Sequence, residues 1–467
     1  MALDVSRLRT LGVSSRYLTA AAWLVVGALA VLHYVIVWRC SVNVPYWDEW
    51  EAFGGAEQLP QRLSLSWLLT QHNEHRIVFT RLQTWLLFQL NGWDIATQIR
   101  MNFAIFLGMV GFFTYMIHRA VPATSGWFLA LCFLSQVTDL AGENHLWGFQ
   151  SQFHITLLGL MLSVYLLFRR HLGWIRLAVG VAVLIFSIYS FSAGLPGSAV
   201  VILVFVLFRF LVWKDQRTTS LLREVLMVGG AVFAWATAVK FYLHDHSRSS
   251  IAMVLPNDPL FWDHYSNLLS LGFGFTRVAS LQSIVSTVLV LATVSVFSLS
   301  LLRRKTRVTY SDAFVQVFTI SLVILAALAT ISIGRAGFGL SNAKSSRYAE
   351  IASLLVPCVA ALWLGGTVRW KKLGLTMAMV TALIAVVGMR NNFRFISDYP
   401  NVKEQREVGL RCVGETLKGG ASAGACPELY PVPIEDRIQY AESRGASFIS
   451  EAKRLSMLRE MRRNNAP

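Results

Sequence analysis

Cysteine is scarce in this chain, and the five residues stand apart: Cys40, Cys132, Cys358, Cys412 and Cys426 form no Cys-x-x-Cys pair and no zinc-ribbon spacing. That distribution argues against a structural metal site built on thiols. Charge is thin too, at 15% of residues, with 26 acids against 42 bases. Against 55% hydrophobic residues, so little charge excludes a disordered chain and an ordinary soluble domain. No glycine-rich segment follows a strand within a βαβ unit, so no nucleotide-binding fingerprint is present. No internal repeat is visible either.

What the chain has in abundance is apolar runs long enough to cross a bilayer, which takes about 20 residues of helix. The first covers Tyr17 to Val37. It follows Arg7, Arg9 and Arg16, but Trp38-Arg39-Cys40 makes a poor cleavage site, so it reads as a retained helix and not a signal peptide. Further runs lie near 99–117, 125–140, 153–168, 176–192, 195–213, 221–243, 279–302, 313–333, 348–367 and 373–389. The expected fold is an all-α polytopic membrane protein with about 11 transmembrane helices.

The formal charge of +16 does not point to nucleic acid, because the cations cluster in alternate loops. These are the N-terminal segment, His118-Arg119, Arg169-Arg170-His171 with Arg176, Lys214 to Arg223, Arg303 to Arg307, and Arg369 to Lys372. The positive-inside rule places them and the N-terminus in the cytoplasm. The loops between them are 38–98, 139–152, 192–195, 244–278 and 334–347, with everything after Met389 on the same side. They carry most of the acids that precede the tail. The domains expected are therefore a membrane domain over 1–389 and a small polar outer domain over 390–467. Within the first, the long outer loop 38–98 bears amphipathic stretches at Leu63 to Leu69 and Ile77 to Leu90 that suit the membrane interface. In an oxidising outer compartment Cys412 and Cys426 either pair or remain two free thiols.

Three polar clusters and one basic segment fall in the outer loops. Pro45-Tyr46-Trp47-Asp48-Glu49-Trp50-Glu51 sets carboxylates among aromatics, where a partly dry carboxylate serves as a general base. An interfacial aromatic belt with ordinary surface acids is the plainer reading. Gln71-His72-Asn73-Glu74-His75-Arg76 would put His72, His75 and Arg76 on one face of a helix and suits phosphate, a metal less well. Gly142-Glu143-Asn144-His145 through Gln150 to His154 places amides beside Trp147 and Phe149, a combination that reads sugar hydroxyls while a ring stacks on the sugar. Helix capping is the alternative there. Arg335 in a glycine-rich run and Lys344-Ser345-Ser346-Arg347-Tyr348 supply cations for the phosphate of a lipid carrier, or else anchor helix ends to headgroups.

A long first outer loop with an acidic motif just after the first helix, on a scaffold of many spans, resembles the GT-C class of membrane glycosyltransferases. The set Trp47-Asp48-Glu49-Trp50, His72-Asn73-Glu74-His75-Arg76, Glu143-Asn144-His145 and Ser346-Arg347-Tyr348 also looks like that of bacterial membrane proteins placed near this class. The resemblance covers residues 17 to 390 in architecture. It implies transfer of a sugar from a polyprenyl-phosphate carrier to a glycan, lipid or protein acceptor at the outer face of a bacterial inner membrane. By that likeness Asp48 is the catalytic acid group, with Glu49 its competitor. No cofactor is required, and a divalent cation is an optional aid. The rival expectation is a transporter or flippase for a lipid-linked or anionic solute, disfavoured by the lack of a repeat and by few ionisable residues within spans, Lys240 and Glu350 lying near their ends. A non-catalytic assembly subunit is the third reading.

Overall fold

A computed structural model of the chain describes residues 12–73, 75–121, 142–216, 221–244, 253–278, 280–303, 310–366, 371–392, 398–419 and 426–464, with single positions between 126 and 135. The described residues are mostly helical, with no strand among them. Among the described residues eight helices are long and apolar enough to cross a membrane. They fall in α1 (Gly12–Cys40), α4 (Ile95–Ala120), α6 (Ser151–Leu167), α8 (Gly194–Gln216), α11 (Leu281–Leu302), α12 (Asp312–Arg335), the broken pair α13 (Ala349–Ser353) and α14 (Leu355–Gly366), and α15 (Lys371–Asn392). Two shorter apolar segments lie in α7 (Trp174–Ile188) and α9 (Leu221–His244), and the short α5 (Gly142–His145) precedes α6. Most of the expected span 125–140 lies outside the described residues.

Burial sorts these helices into inner and outer ones. The stretch Ser346–Gly366 is 83% buried within the protein and Asp312–Phe338 67%, whereas Thr19–Cys40 is only 22% buried. α12 and α14 thus form the centre, and α1, α11 and α15 turn Leu24, Leu32, Ile284, Leu299, Leu383 and Val387 outward. An apolar surface of that kind is tolerated where lipid is the solvent. Backbones also approach closely: a Cβ added to Gly388 of α15 would lie 1.5 Å from Phe273 O, so only glycine fits there.

The expected loop 244–278 contains a further helix, α10 (Pro259–Gly272), which caps through Asp258, whose side chain accepts from Leu260 N at 2.9 Å, and opens with Pro259 at its first position. That Asp-Pro start is the usual chemistry of a helix N-terminus.

Region 41–94 holds the short helices α2 (Leu65–Leu69) and α3 (Val78–Asn91) and a 3₁₀ turn Trp47–Phe53. The tail folds onto it through α16 (Asp398–Thr416), α17 (Glu435–Ser443) and α18 (Ser447–Asn464). Phe448 packs edge-on against Trp50 at 5.5 Å and Phe53 at 5.6 Å between ring centres. Glu51 pairs with Arg437 at 3.1 Å and accepts the Tyr430 hydroxyl, while Ser447 N donates to Gly92 O at 2.8 Å. The structure joins Cys412 to Cys426, so the open question about these thiols resolves in favour of a disulfide.

Candidate active site

Asp48 sits in the first turn of the 3₁₀ segment directly after Trp47, whose φ is +46°. A non-glycine residue in that region carries strain of order 1–3 kcal/mol, and such strain gathers at functional sites. The turn is held from both sides, by Trp47 N donating to Leu429 O at 2.8 Å and by Glu49 Oε2 accepting from Tyr46 N at 3.0 Å. Glu49 is buried, and its other oxygen accepts from Phe149 N at 3.0 Å. Burial pushes its carboxyl up to about 7 against the pull of Arg406 and the two backbone donors. Glu49 therefore ties the turn to the segment before α6, and Asp48 is the carboxylate left facing outward, with a side chain 30% exposed.

His72 comes to Asp48 from an unexpected local structure. The helical face proposed for His72, His75 and Arg76 is not formed. The segment is a tight turn in which His72 N donates to His75 O at 2.9 Å and His75 N to His72 O at 2.7 Å, with Asn73 at φ +47°. Asparagine tolerates that backbone better than most residues, which lets the chain reverse there. Glu74 lies outside the described residues. His72 is buried, with Nε2 3.5 Å from Asp48 Oδ2 and Nδ1 2.8 Å from Glu57 Oε2. Arg81 pairs with the same Glu57 oxygen at 2.5 Å.

An imidazole between two carboxylates should be protonated. Burial alone would lower the His72 pKa, but hydrogen bonds and charge from Asp48 and Glu57 raise it to about 9. Burial pushes Asp48 up, yet His72, then His75 and Arg347, hold it below the usual carboxylate range. Glu57 is held low against burial in the same way, by His72 and Arg81. Asp48 is thus an ionised carboxylate fixed by an imidazolium.

Arg347 brings the second charge. Its side chain is 38% exposed, and its Nε lies 3.0 Å from Ser345 Oγ and 3.8 Å from Glu143 Oε1. Ser346 Oγ donates to the other Glu143 oxygen at 3.0 Å. Aromatics line the same ground: Phe149 lies 4.9 Å from the His72 ring, Trp147 stacks near Phe149, and Tyr46 meets Trp147. Arg406 of α16 lies over the Tyr46 ring at 3.2 Å. Trp47 is 44% exposed beside Asp48.

The structure therefore gathers Trp47, Asp48, His72, Asn73, His75, Glu143 and Arg347, and turns other candidates inward. Trp50 is in the core against Phe448. Arg76 is buried and donates to Leu69 O, so it braces α2. Asn144 and His145 are fully buried and bonded to Arg347 O, Glu350 and Tyr399. Gln150 and Tyr348 are buried as well. Lys344 donates to Asn267 O and Phe275 O at 2.8 Å each and to Ser270 Oγ at 2.5 Å, closing the C-terminal end of α10. Burial lowers its ammonium to about 7. Arg335 is half-buried at the end of α12, over the Phe338 ring.

Sequence reasoning missed Glu57, Arg81 and Arg406 as parts of this site. Glu57 is one acid among several in an exposed loop, and only the fold brings it to His72. A cavity of about 540 Å³ lies elsewhere, between Arg39 and Cys40 at the end of α1 and Lys403, Glu404, Glu407 and Arg411 of α16. Among the described residues no group of three or more His, Cys, Asp or Glu side chains is placed to hold a metal.

No family model, curated protein or solved structure matches this chain. The functional reading therefore rests on the arrangement itself.

Proposed function

We propose that the chain is a membrane glycosyltransferase that moves a sugar from a polyprenyl-phosphate carrier to an acceptor hydroxyl. The observation that carries this reading is the ionised Asp48, clamped by His72 and lying within the field of Arg347, on a face where helix ends and aromatics meet. In the proposed reaction the acceptor oxygen attacks the anomeric carbon, its proton passes to Asp48, and the carbon–oxygen bond to the carrier phosphate breaks. Arg347 takes up the charge that grows on the departing phosphate. Such fixed charges in a partly dry site supply most of the rate. A weakly basic carboxylate suffices because a phosphate leaves readily, so little charge need build on the acceptor oxygen. No cofactor enters, and a divalent cation would only share the work of Arg347.

The site would face the outside of a bacterial inner membrane. The tail touches region 41–94, so the end of α1 at Cys40 and the end of α15 at Asn392 share one side, and the number of crossings between the chain ends is odd. If the eight long helices and the two shorter apolar segments all cross, an odd total needs one more crossing, and the apolar sequence 125–140 is the candidate for it. The Cys412–Cys426 disulfide suits an oxidising compartment, and the basic loops then lie in the cytoplasm.

The test is Asp48→Asn, assayed for turnover of lipid-linked sugar in protein of verified fold. A loss of roughly 10²–10⁴-fold is expected of a general base. Unchanged turnover sinks the assignment. A transporter for a lipid-linked or anionic solute is the second reading, favoured by one observation: Glu350, His145 and His154 form a buried ionisable cluster inside the helical domain. Solute flux that survives Asp48→Asn and disappears on changing Glu350 would select it.

A further inference from the structure

Beneath the Asp48 cluster lies a second set of titratable groups that the proposed chemistry does not use. Glu350, in the first turn of α13, meets His145 Nε2 at 2.7 Å through Oε1 and His154 Nε2 at 2.6 Å through Oε2. Asn144 Nδ2 donates to the same Oε2 at 3.0 Å and to Arg347 O at 2.9 Å. The other nitrogen of His154, Nδ1, lies 2.6 Å from Asn102 Oδ1. Glu350, His145, His154, Asn102 and Asn144 are all at most 4% exposed, so water does not share these hydrogen bonds.

Counting hydrogens in this set leads to a definite result. Asn102 Nδ2 donates to Asn144 O at 2.9 Å and to Trp147 O at 3.1 Å, and a flipped amide would set its oxygen against both carbonyls. The atom facing His154 is therefore the amide oxygen, which only accepts. His154 Nδ1 must carry the hydrogen of that bond. A neutral ring with its hydrogen on Nδ1 presents a bare Nε2 to a carboxylate oxygen 2.6 Å away, and two acceptors do not approach so closely without a proton between them. One further hydrogen thus sits between His154 Nε2 and Glu350 Oε2. The other arm needs no extra proton. His145 Nε2 makes a 2.7 Å ion-pair contact with Glu350 Oε1 off the hydrogen-bond line, His145 Nδ1 accepts the Tyr399 hydroxyl at 2.7 Å, and the Tyr399 oxygen accepts from His33 Nε2 at 2.7 Å.

We propose that Glu350 and His154 form a proton-holding positioning centre. The pair carries one proton more than a carboxylate beside a neutral histidine, and through Asn144 it fixes the backbone of Arg347 and the turn that bears Glu143. Neither residue touches substrate. The protonation stands by itself, while the consequence for catalysis rests on the reading of Asp48 and Arg347 as the donor site.

The experiment uses the full-length protein labelled with ¹⁵N in histidine and arginine side chains, at neutral pH. His154 is assigned by the signal lost in His154→Gln, and the Arg347 Nε by the signal lost in Arg347→Lys. The expected result is a His154 ring protonated at Nδ1 with a shared proton at Nε2. A wild-type ring bare at Nδ1 overturns the proposal. Asn144→Ala should shift the Arg347 Nε signal, and an unmoved Arg347 signal overturns the positioning link even where Glu350→Gln fails to fold. Where Glu350→Gln folds, the KM for polyprenyl-phosphate sugar should rise about tenfold with kcat within about threefold, because ground-state grip on phosphate is what loosens. An unchanged KM counts against positioning. Absence of turnover in the wild-type protein would instead defeat the glycosyl-transfer reading, and the two ring and guanidinium signals would still decide this one.

Discussion

Two polar clusters in this protein use the same residue types to opposite ends. Around Asp48 a histidine sits between two carboxylates with side chains of Asp48, Glu143 and Arg347 about one-third exposed, and Trp47 and Asn73 hold strained backbone on either side. Around Glu350 a carboxylate sits between two histidines, and nothing is open. The difference is what each leaves for a ligand. In the first, charge is fixed in place and still accessible, as differential stabilisation of a transition state requires. In the second, the ionisable groups face one another and hold six chain segments together. Asn144 connects the two, since its amide reaches both Glu350 and the Arg347 carbonyl.

The sharpest way to break that contrast is to remove the partner from the closed cluster. Glu350→Ala leaves His154 and His145 buried without their acceptor, and a broken buried pair costs about 3–5 kcal/mol. Chemical unfolding in detergent should register a loss of that size, whereas Asp48→Asn should cost clearly less, because Glu57 still holds the His72 imidazolium, while removing turnover. Equal losses of stability from both variants would erase the distinction between an open and a closed cluster.

A smaller effect separates them by pH. The folded-state pKa of His72 is raised to about 9 from an ordinary value of 6.5 by Asp48 and Glu57 acting against burial. A raised value means that the folded protein binds the proton more tightly, so this stabilisation is complete below about 6.5 and is lost as the pH rises through about 9. Glu49, raised to about 7 by burial, adds a loss of the same sign at lower pH, over the window from its ordinary 4.5 up to about 7. Stability should therefore decline across the alkaline limb, and His72→Gln should flatten the decline above about 7. The same alkaline slope in parent and variant would mean that His72 is not the imidazolium described.

The all-helical character and the apolar helices long enough to cross a membrane were legible in the sequence because hydropathy is a local signal. Asp48 and its aromatic neighbours were visible for the same reason. The Glu350 network was not, since His33, Asn102, His154 and Tyr399 are single polar residues on separate helices, and His33 meets Tyr399 across 366 positions. Glu350 read as a residue near a span end, which understated the ionisable content of the interior. The turn at His72 was hidden by a spacing that suits a helix. Its actual geometry depends on Asn73 in the left-handed region and on the pull of Glu57 from a different loop.

Lys344 gives the finest test of the contrast, because the sequence places it beside Arg347 while the structure sends the two in different directions. Reading 244–278 as a connecting loop left Lys344 without a protein partner and made phosphate its natural ligand. The Asp258-Pro259 start of α10 was the signal that a helix lies there, and the end of that helix supplies the acceptors that its ammonium uses. Lys344→Met should then cost about 1–3 kcal/mol of stability from unsatisfied acceptors, with the KM for the lipid-linked donor changed less than about twofold. Arg347→Met should do the reverse, raising that KM tenfold or more on the scale of a lost charge-assisted contact, about 1.5–3 kcal/mol, at little cost to stability. A donor KM that rises as steeply for Lys344→Met as for Arg347→Met would put Lys344 back among the phosphate ligands and extend the open cluster to the end of α10.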